Sequence, residues 1–175
     1  MWTQFVSQDT NRALSLDGLQ NSHPIEQEVK NPAEIGELFD AISYSKGGSI
    51  IRMLEHFVGE ENFRQGLQNY ISEYQYANAK TKQLWEALEK SSGMPISTIM
   101  DTWISQTGYP LVEIKTHQSK DGIEVTASQN RFLYENLITK NKYTDTIWQI
   151  PLSAENYSNV GNPTYTILDK RETSI

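Results

Sequence analysis

The hydrophobic period of this sequence changes once, near Gly108-Tyr109-Pro110. Before that point apolar residues recur every three or four positions, which is typical of amphipathic helices. After it apolar and polar residues alternate, as they do in a strand with one buried face. This change predicts an α+β fold, in which the 175 residues comprise a helical part followed by antiparallel strands.

The helical part carries four apolar stripes, and turn or capping residues bound them. The stripes cover residues 50–58, 63–74, 84–88 and 96–104. Gly59 and Gly93 follow the first and third stripes, where glycine commonly ends a helix. Thr81 is the expected cap of the third helix, and Asn31 is the expected cap of an earlier one. Pro95 is expected to open the fourth helix.

In the β part, two alternating segments flank Lys120-Asp121-Gly122, and Asp-Gly between such segments predicts a hairpin. Further strands are predicted for Thr146 to Leu152 and Thr164 to Leu168. Four or so strands cannot easily cover both faces of a sheet without a second layer. The first residues also read like the interior of a helix. We therefore expect the chain to be a piece of a larger protein.

Composition excludes several classes of function. The chain has no cysteine, which rules out disulfides, thiolate metal sites and cysteine nucleophiles. Its net charge of −7 argues against a surface that binds nucleic acid. No apolar run approaches the roughly 18 residues of a membrane-spanning helix, and the first five residues lack the features of a signal peptide. We expect neither a nucleic-acid partner nor a membrane segment in this chain.

Histidines and one tyrosine are the residues that could carry chemistry. None of His23, His56 and His117 stands four residues from another histidine, so the H-E-x-x-H pattern of zinc helices is absent. Solvated, capping or helix-side roles are the simplest interpretation of all three. Tyr44 lies in a small polar patch before an apolar helix, where its phenol could donate a hydrogen bond to an oxyanion. From spacing alone, an ordinary packed tyrosine is the simpler interpretation.

Several motifs resemble, in order, those of zinc aminopeptidases of the membrane alanyl and puromycin-sensitive type. They are Ser22-His23-Pro24-Ile25-Glu26, Asn31-Pro32-Ala33-Glu34-Ile35, Phe39-Asp40-Ala41-Ile42-Ser43-Tyr44-Ser45-Lys46-Gly47, Asn78-Ala79, Leu84-Trp85, Met100-Asp101-Thr102-Trp103 and Gly108-Tyr109-Pro110. The resemblance covers nearly the whole chain and weakens after about Leu133. It implies that residues 1–107 are the helical C-terminal part of a thermolysin-like catalytic domain. Residues 108–175 would be the N-terminal strands of an incomplete β-sandwich domain.

The resemblance also implies a function. The family removes N-terminal residues from peptides, using a zinc ion held by H-E-x-x-H and a downstream glutamate. Tyr44 aligns with the family's catalytic tyrosine, which stabilises the tetrahedral oxyanion. The zinc motif lies upstream of this segment in the family, and no residue of this chain matches a metal ligand.

Three expectations follow from this resemblance. The fragment binds no zinc and is inactive alone, although zinc serves the full-length enzymes and peptides are their substrates. The parent protein is cytoplasmic, as the form of the tyrosine motif and the lack of an export signal suggest. The alternative is a non-catalytic scaffold or protein-interaction module that kept the fold.

Overall fold

The computed structural model describes residues 1–29, 31–118, 122–139, 144–155 and 163–174. Apart from one short helix, helices come first and antiparallel strands follow, so the predicted α+β class is confirmed. The helices are α1 (Trp2–Phe5), α2 (Asn11–Asp17), α3 (Gly47–Val58), α4 (Glu60–Tyr74), α5 (Thr81–Ser92), α6 (Ile96–Ile104) and α7 (Asn136–Thr139). Two π-helical segments, Val6–Thr10 and Ile42–Lys46, and a 3₁₀ helix, Pro32–Leu38, lie among them. No helix in the described residues has the length and apolar character needed to cross a membrane.

The predicted stripes of α3, α5 and α6 form most of one hydrophobic core. Their buried members are Ile50, Leu54, Phe57, Val58, Trp85, Leu88, Ile96, Ile99, Met100, Trp103 and Ile104. Residues of the β part join the same core, among them Trp148 and Leu168, which have no exposed surface. The indole of Trp103 donates a hydrogen bond to the carbonyl of Gln149 at 2.9 Å. The helical and β parts therefore pack on each other through shared apolar side chains.

The stripe of α4 behaves differently from the other three. Gly66 is the buried residue of this helix, whereas Ile71 of the stripe is 63% exposed. A Cβ added to Gly66 would lie 2.7 Å from both the Leu88 Cδ2 and the Ser91 Oγ of α5. Glycine therefore allows α4 to pack closely on α5, and the apolar stripe lies partly outside that contact.

Most predicted helix ends are confirmed, but Thr81 and Pro95 each differ by one position, since Pro95 is the N-cap of α6 and not its first residue. Gly59 and Gly93 follow α3 and α5 with φ of 83° and 71°, values that glycine adopts without strain. The side chain of Asn31 accepts a hydrogen bond from the amide of Ala33, as a cap should. Thr81 is not the cap of α5 but its first residue. Lys80 precedes the helix instead, and the Gln83 side chain accepts a hydrogen bond from the Lys80 amide at 2.6 Å.

Within the described residues the strands form two antiparallel sheets. Strands β1 (Pro110–Gln118), β2 (Ile123–Arg131) and β5 (Glu172–Ser174) pair in the order β1-β2-β5, and β3 (Ile150–Ala154) pairs with β4 (Thr164–Leu168). Gln118 pairs with Ile123, as the predicted hairpin requires, although residues 119–121 of its turn lie outside the described residues. The last predicted strand, Thr164–Leu168, is confirmed as β4.

The strand predicted from Thr146 starts four residues later, at Ile150. The amide of Trp148 donates to the Gln129 side chain at 2.9 Å, and the amide of Gln149 donates to the Thr102 hydroxyl at 3.0 Å. Both amides are satisfied by side chains of other elements, so this stretch does not need a neighbouring strand.

Candidate functional site

Tyr44 lies in the π-helical segment Ile42–Lys46, which leads directly into α3. Its side chain is 64% exposed, whereas Ala41, Ile42, Ser45 and Lys46 are each 5% exposed or less. The wider turn of a π-helix often marks a functional position. Here the backbone is anchored by buried neighbours while one phenol projects outward. The interpretation of Tyr44 as an ordinary packed tyrosine is therefore wrong.

Tyr44 has one aromatic neighbour, and a cavity adjoins the segment that carries it. Its ring stacks on that of Phe39, with 6.2 Å between the ring centroids and 29° between the planes. A cavity of about 340 Å³ lies beside the same segment, with Ser43 and Gly47 in its lining. Much of the rest of that lining is apolar, including Trp85 of α5. Tyr44 itself is not among the residues that line this cavity.

Asp40 fixes the backbone that precedes Tyr44. Its Oδ1 accepts hydrogen bonds from the amides of Ile42 and Ser43, both at 2.9 Å. Its carbonyl accepts from the amide of Tyr44 at 3.1 Å. Burial acts to raise the pKa of Asp40, but the hydrogen bonds from Ser43 and His23 outweigh it and hold the pKa below its ordinary value. One carboxylate thus organises the first turn of the segment.

His23 contacts the other oxygen of that carboxylate. Its Nε2 lies 2.7 Å from Asp40 Oδ2, and its Nδ1 lies 2.7 Å from the carbonyl oxygen of Pro24. Burial acts to lower the pKa of His23, but the Pro24 carbonyl and the Asp40 carboxylate outweigh it and raise the pKa above its ordinary value. The prediction of a merely solvated or capping role is wrong for His23, which is bonded at both ring nitrogens.

A buried ion pair lies at the other end of the Tyr44 segment. Lys46 Nζ is 2.8 Å from Asp17 Oδ2 and donates to the carbonyl of Gly108 at 2.9 Å. Asp17 Oδ1 accepts hydrogen bonds from the Gly108 amide and the Ser22 hydroxyl, at 3.0 and 2.7 Å. Burial holds the pKa of Lys46 below its ordinary value, against the attraction of Asp17. The pair therefore connects the Tyr44 segment to α2 and to the start of the β part.

Gly108 has a conformational reason to be glycine at this junction. Its φ is 89°, in the region that side chains disfavour. A Cβ at this position would lie 2.4 Å from Nε of Arg131, closer than two such atoms can approach. Both the backbone and the space beside it therefore require glycine where the Lys46–Asp17 pair is attached.

The described residues do not fit a metal site. No group of three or more histidine, aspartate or glutamate side chains converges among them. His23 uses both ring nitrogens in hydrogen bonds, and both His56 and His117 are exposed. We therefore assign no zinc ligand to this part of the chain.

The sequence pattern of the peptidase family M1 domain matches residues 1–103, more than half of the chain. Aminopeptidase M1 of Arabidopsis thaliana is 51% identical over 133 residues, which is 76% of this chain and 15% of that protein. Probable aminopeptidase 2 of Sulfurisphaera tokodaii is 41% identical over 174 residues, 99% of this chain and 21% of that protein.

The alanine/arginine aminopeptidase of Saccharomyces cerevisiae is also similar, at 40% identity over 162 residues. That match covers 93% of this chain and 18% of the yeast protein. The chain thus spans about a fifth or less of the length of these relatives. Together these matches show that the chain belongs to the peptidase M1 family.

Proposed function

We propose that this chain is a fragment of a zinc-dependent aminopeptidase that removes N-terminal residues from peptides. Attack of water on the scissile carbonyl produces a tetrahedral oxyanion. The Tyr44 hydroxyl donates a hydrogen bond to that oxyanion. This hydrogen bond becomes stronger as negative charge develops on the oxygen. Zinc in the family polarises the carbonyl and activates the water. The residues of this chain to which we give a role in that reaction are Tyr44 and the groups that hold it.

The observation that carries this proposal is the exposure of Tyr44 on a fixed backbone. A donor that stabilises a transition state must be accessible to substrate and held in place before the reaction. Tyr44 is 64% exposed, while Asp40 bonds the amides of Ile42 and Ser43. A scaffold that only maintained the fold would have no chemical need for an accessible phenol at this position.

The domain assignment belongs to the same proposal. We infer that residues 1–107 are the helical C-terminal part of the catalytic domain and that residues 108–175 begin a β-sandwich. The family match, which ends at residue 103, and the first strand, which starts at Pro110, support this division. Because the chain spans about a fifth or less of its relatives, we expect it to be inactive alone.

The test uses a hybrid of the yeast alanine/arginine aminopeptidase in which this chain replaces the matching segment, called the yeast hybrid below. Tyr44→Phe removes the hydroxyl and keeps the ring. We expect it to lower kcat for an alanyl or arginyl arylamide by about 100- to 1,000-fold. KM should change little, because the hydrogen bond forms in the transition state.

The matched control is Tyr76→Phe, which removes the hydroxyl of a fully exposed tyrosine. We expect this variant to keep the kcat of the yeast hybrid. An unchanged kcat in Tyr44→Phe would contradict the proposed role. Such a result, in a hybrid that remains active, would favour a chain that contributes only scaffold to the enzyme.

A further inference from the structure

The hydrogen bonds of His23 determine its protonation state. Nδ1 faces the carbonyl oxygen of Pro24 and Nε2 faces a carboxylate oxygen of Asp40, each at 2.7 Å. A carbonyl oxygen and an ionised carboxylate accept hydrogen bonds and cannot donate them. A neutral imidazole has only one N–H, so either tautomer would leave a ring lone pair facing an oxygen at 2.7 Å. Both contacts are satisfied only when both ring nitrogens carry protons.

Asp40 is an acceptor at both of its oxygens. Oδ1 already accepts hydrogen bonds from the amides of Ile42 and Ser43. Charge-assisted hydrogen bonds of this kind favour the ionised carboxylate. The pair is therefore an imidazolium with a carboxylate, at side-chain exposures of 29% for His23 and 35% for Asp40. Asp17 places a second negative charge near His23, and Asp17 is itself paired with Lys46. These surroundings also favour the positive form of His23.

The His23–Asp40 pair is connected to Tyr44 through backbone hydrogen bonds. Asp40 Oδ1 holds the two amides before Tyr44, and the Asp40 carbonyl accepts from the Tyr44 amide at 3.1 Å. His23 fixes the rotation of the Asp40 carboxylate by holding its second oxygen. Movement of that carboxylate would release the turn from which the phenol projects.

We propose that His23 and Asp40 are positioning residues for the Tyr44 hydroxyl, with a doubly protonated His23 holding the carboxylate that orders the turn. The inference rests on the proposed function of Tyr44 and adds two residues to it. Neither residue is required to touch substrate. Their effect is on where the phenol lies when the oxyanion forms, and a small misplacement of a catalytic group costs much of its effect.

The direct test is nitrogen-15 NMR of the 175-residue chain with labelled histidines. We expect both ring nitrogens of His23 to carry protons at pH 6.5, because its pKa is raised above that ordinary value. The exposed His56 and His117 give reference signals in the same spectrum. The amide signals of Ile42 and Ser43 should shift with the same midpoint as His23. His23→Gln assigns the His23 signals. A single neutral tautomer at that pH, or amides that do not follow His23, would overturn the inference.

The functional test uses the yeast hybrid with His23→Gln and Asp40→Asn. Asn keeps an oxygen for the two amides but presents an N–H or a neutral oxygen to His23. We expect each variant to lower kcat roughly tenfold at unchanged KM, a smaller loss than that of Tyr44→Phe. In the unsubstituted hybrid, kcat should also fall as the pH rises through the His23 pKa. In the His23→Gln variant this decrease of kcat with pH should be absent. His117→Gln, on exposed β1, should change neither.

The outcomes separate the two proposals. If Tyr44→Phe lowers kcat but His23→Gln leaves both kcat and its pH profile unchanged, the positioning role fails and the role of Tyr44 stands. If Tyr44→Phe has no effect, the proposed function fails and the positioning role fails with it. A loss confined to KM in His23→Gln would also contradict positioning, because it would indicate a contact made in the ground state.

Discussion

Two buried polar groups hold different parts of this molecule, and they do so with different chemistry. Beneath the Tyr44 segment, Lys46 and Asp17 form a charged pair that also satisfies the amide and the carbonyl of Gly108. Among the strands, the neutral amide of Gln129 bonds four backbone groups. The charged pair adjoins the exposed residue of the candidate site. The neutral amide connects segments that expose no candidate group.

The comparison shows how the fold holds an exposed tyrosine side chain at its surface. An exposed phenol gains little from apolar burial, so the backbone beneath it must be fixed by other means. Here, Lys46 is anchored on one side and Asp40 on the other, within six residues of sequence. Ionic hydrogen bonds are directional and strong, and they specify position where hydrocarbon contact does not. The segments around Gln129 carry no exposed candidate side chain whose position must be fixed, and an uncharged amide is sufficient there.

The largest effect on stability is expected from breaking the charged pair. Lys46→Met leaves the Asp17 carboxylate buried without its cation, which we expect to lower the free energy of unfolding by about 3–5 kcal/mol. Adding Asp17→Asn should recover part of the loss, because it removes the charge and keeps an acceptor for the Gly108 amide. Urea unfolding of the 175-residue chain measures both. A loss below about 1 kcal/mol, as for exposed pairs, would contradict the account.

A smaller effect on stability is expected from removing the neutral amide of Gln129. Gln129→Leu removes a donor from the carbonyls of Trp148, Leu168 and Lys170 and an acceptor from the Trp148 amide. We expect a loss of about 1–3 kcal/mol in the free energy of unfolding. The matched control is Gln118→Leu on the exposed end of β1, which should stay within about 0.5 kcal/mol. If Gln129→Leu destabilised more than Lys46→Met, the ranking of the two groups would be wrong.

The smallest effect is the pH dependence of the His23–Asp40 pair. The His23 pKa is raised above 6.5, so its contribution is fully present below 6.5 and is lost as the pH rises through the folded-state value. The Asp40 pKa is lowered from 3.8, so its contribution is present above 3.8 and is lost as the pH falls through the folded-state value. Stability from the pair should therefore be greatest between pH 3.8 and 6.5.

We expect this contribution to be about 0.2–1 kcal/mol, because both side chains are partly exposed. The measurement is the difference in unfolding free energy between the chain and its His23→Gln variant, from pH 3.8 to a pH well above the folded-state His23 pKa. The difference should shrink above the His23 pKa. A difference that grew as the pH rose would reverse the sign of the linkage and contradict the assigned charges.

The helices were predictable from the sequence because their signals are local. Apolar spacing and glycine set the limits of α3 and α5, and the shift from a helical to an alternating pattern located the β part. One error, at the start of β3, arose where distant side chains competed with the local pattern. The strand predicted from Thr146 starts late because side chains of Gln129 and Thr102 satisfy the amides of Trp148 and Gln149.

The site was predictable only in part. Tyr44 was indicated by its motif, but its exposure was not, since periodicity in a π-helical segment does not follow the spacing of an α-helix. The partners that hold the segment join residues far apart in sequence. His23 and Asp40 are 17 residues apart, and the Asp17–Gly108 bond spans 91. No local pattern of polar residues indicates such pairs; the resemblance placed His23 and Asp40 in motifs without giving them a role.

The most direct test of the account is the affinity of the yeast hybrid for a phosphinic dipeptide, whose tetrahedral oxygen anion resembles the intermediate. If Tyr44 stabilises the oxyanion, Tyr44→Phe should weaken this inhibitor by about the same factor as kcat/KM, roughly 100- to 1,000-fold, while substrate KM stays nearly constant. An inhibitor that binds the variant as tightly as the parent, while turnover falls, would show that the phenol acts elsewhere in the reaction.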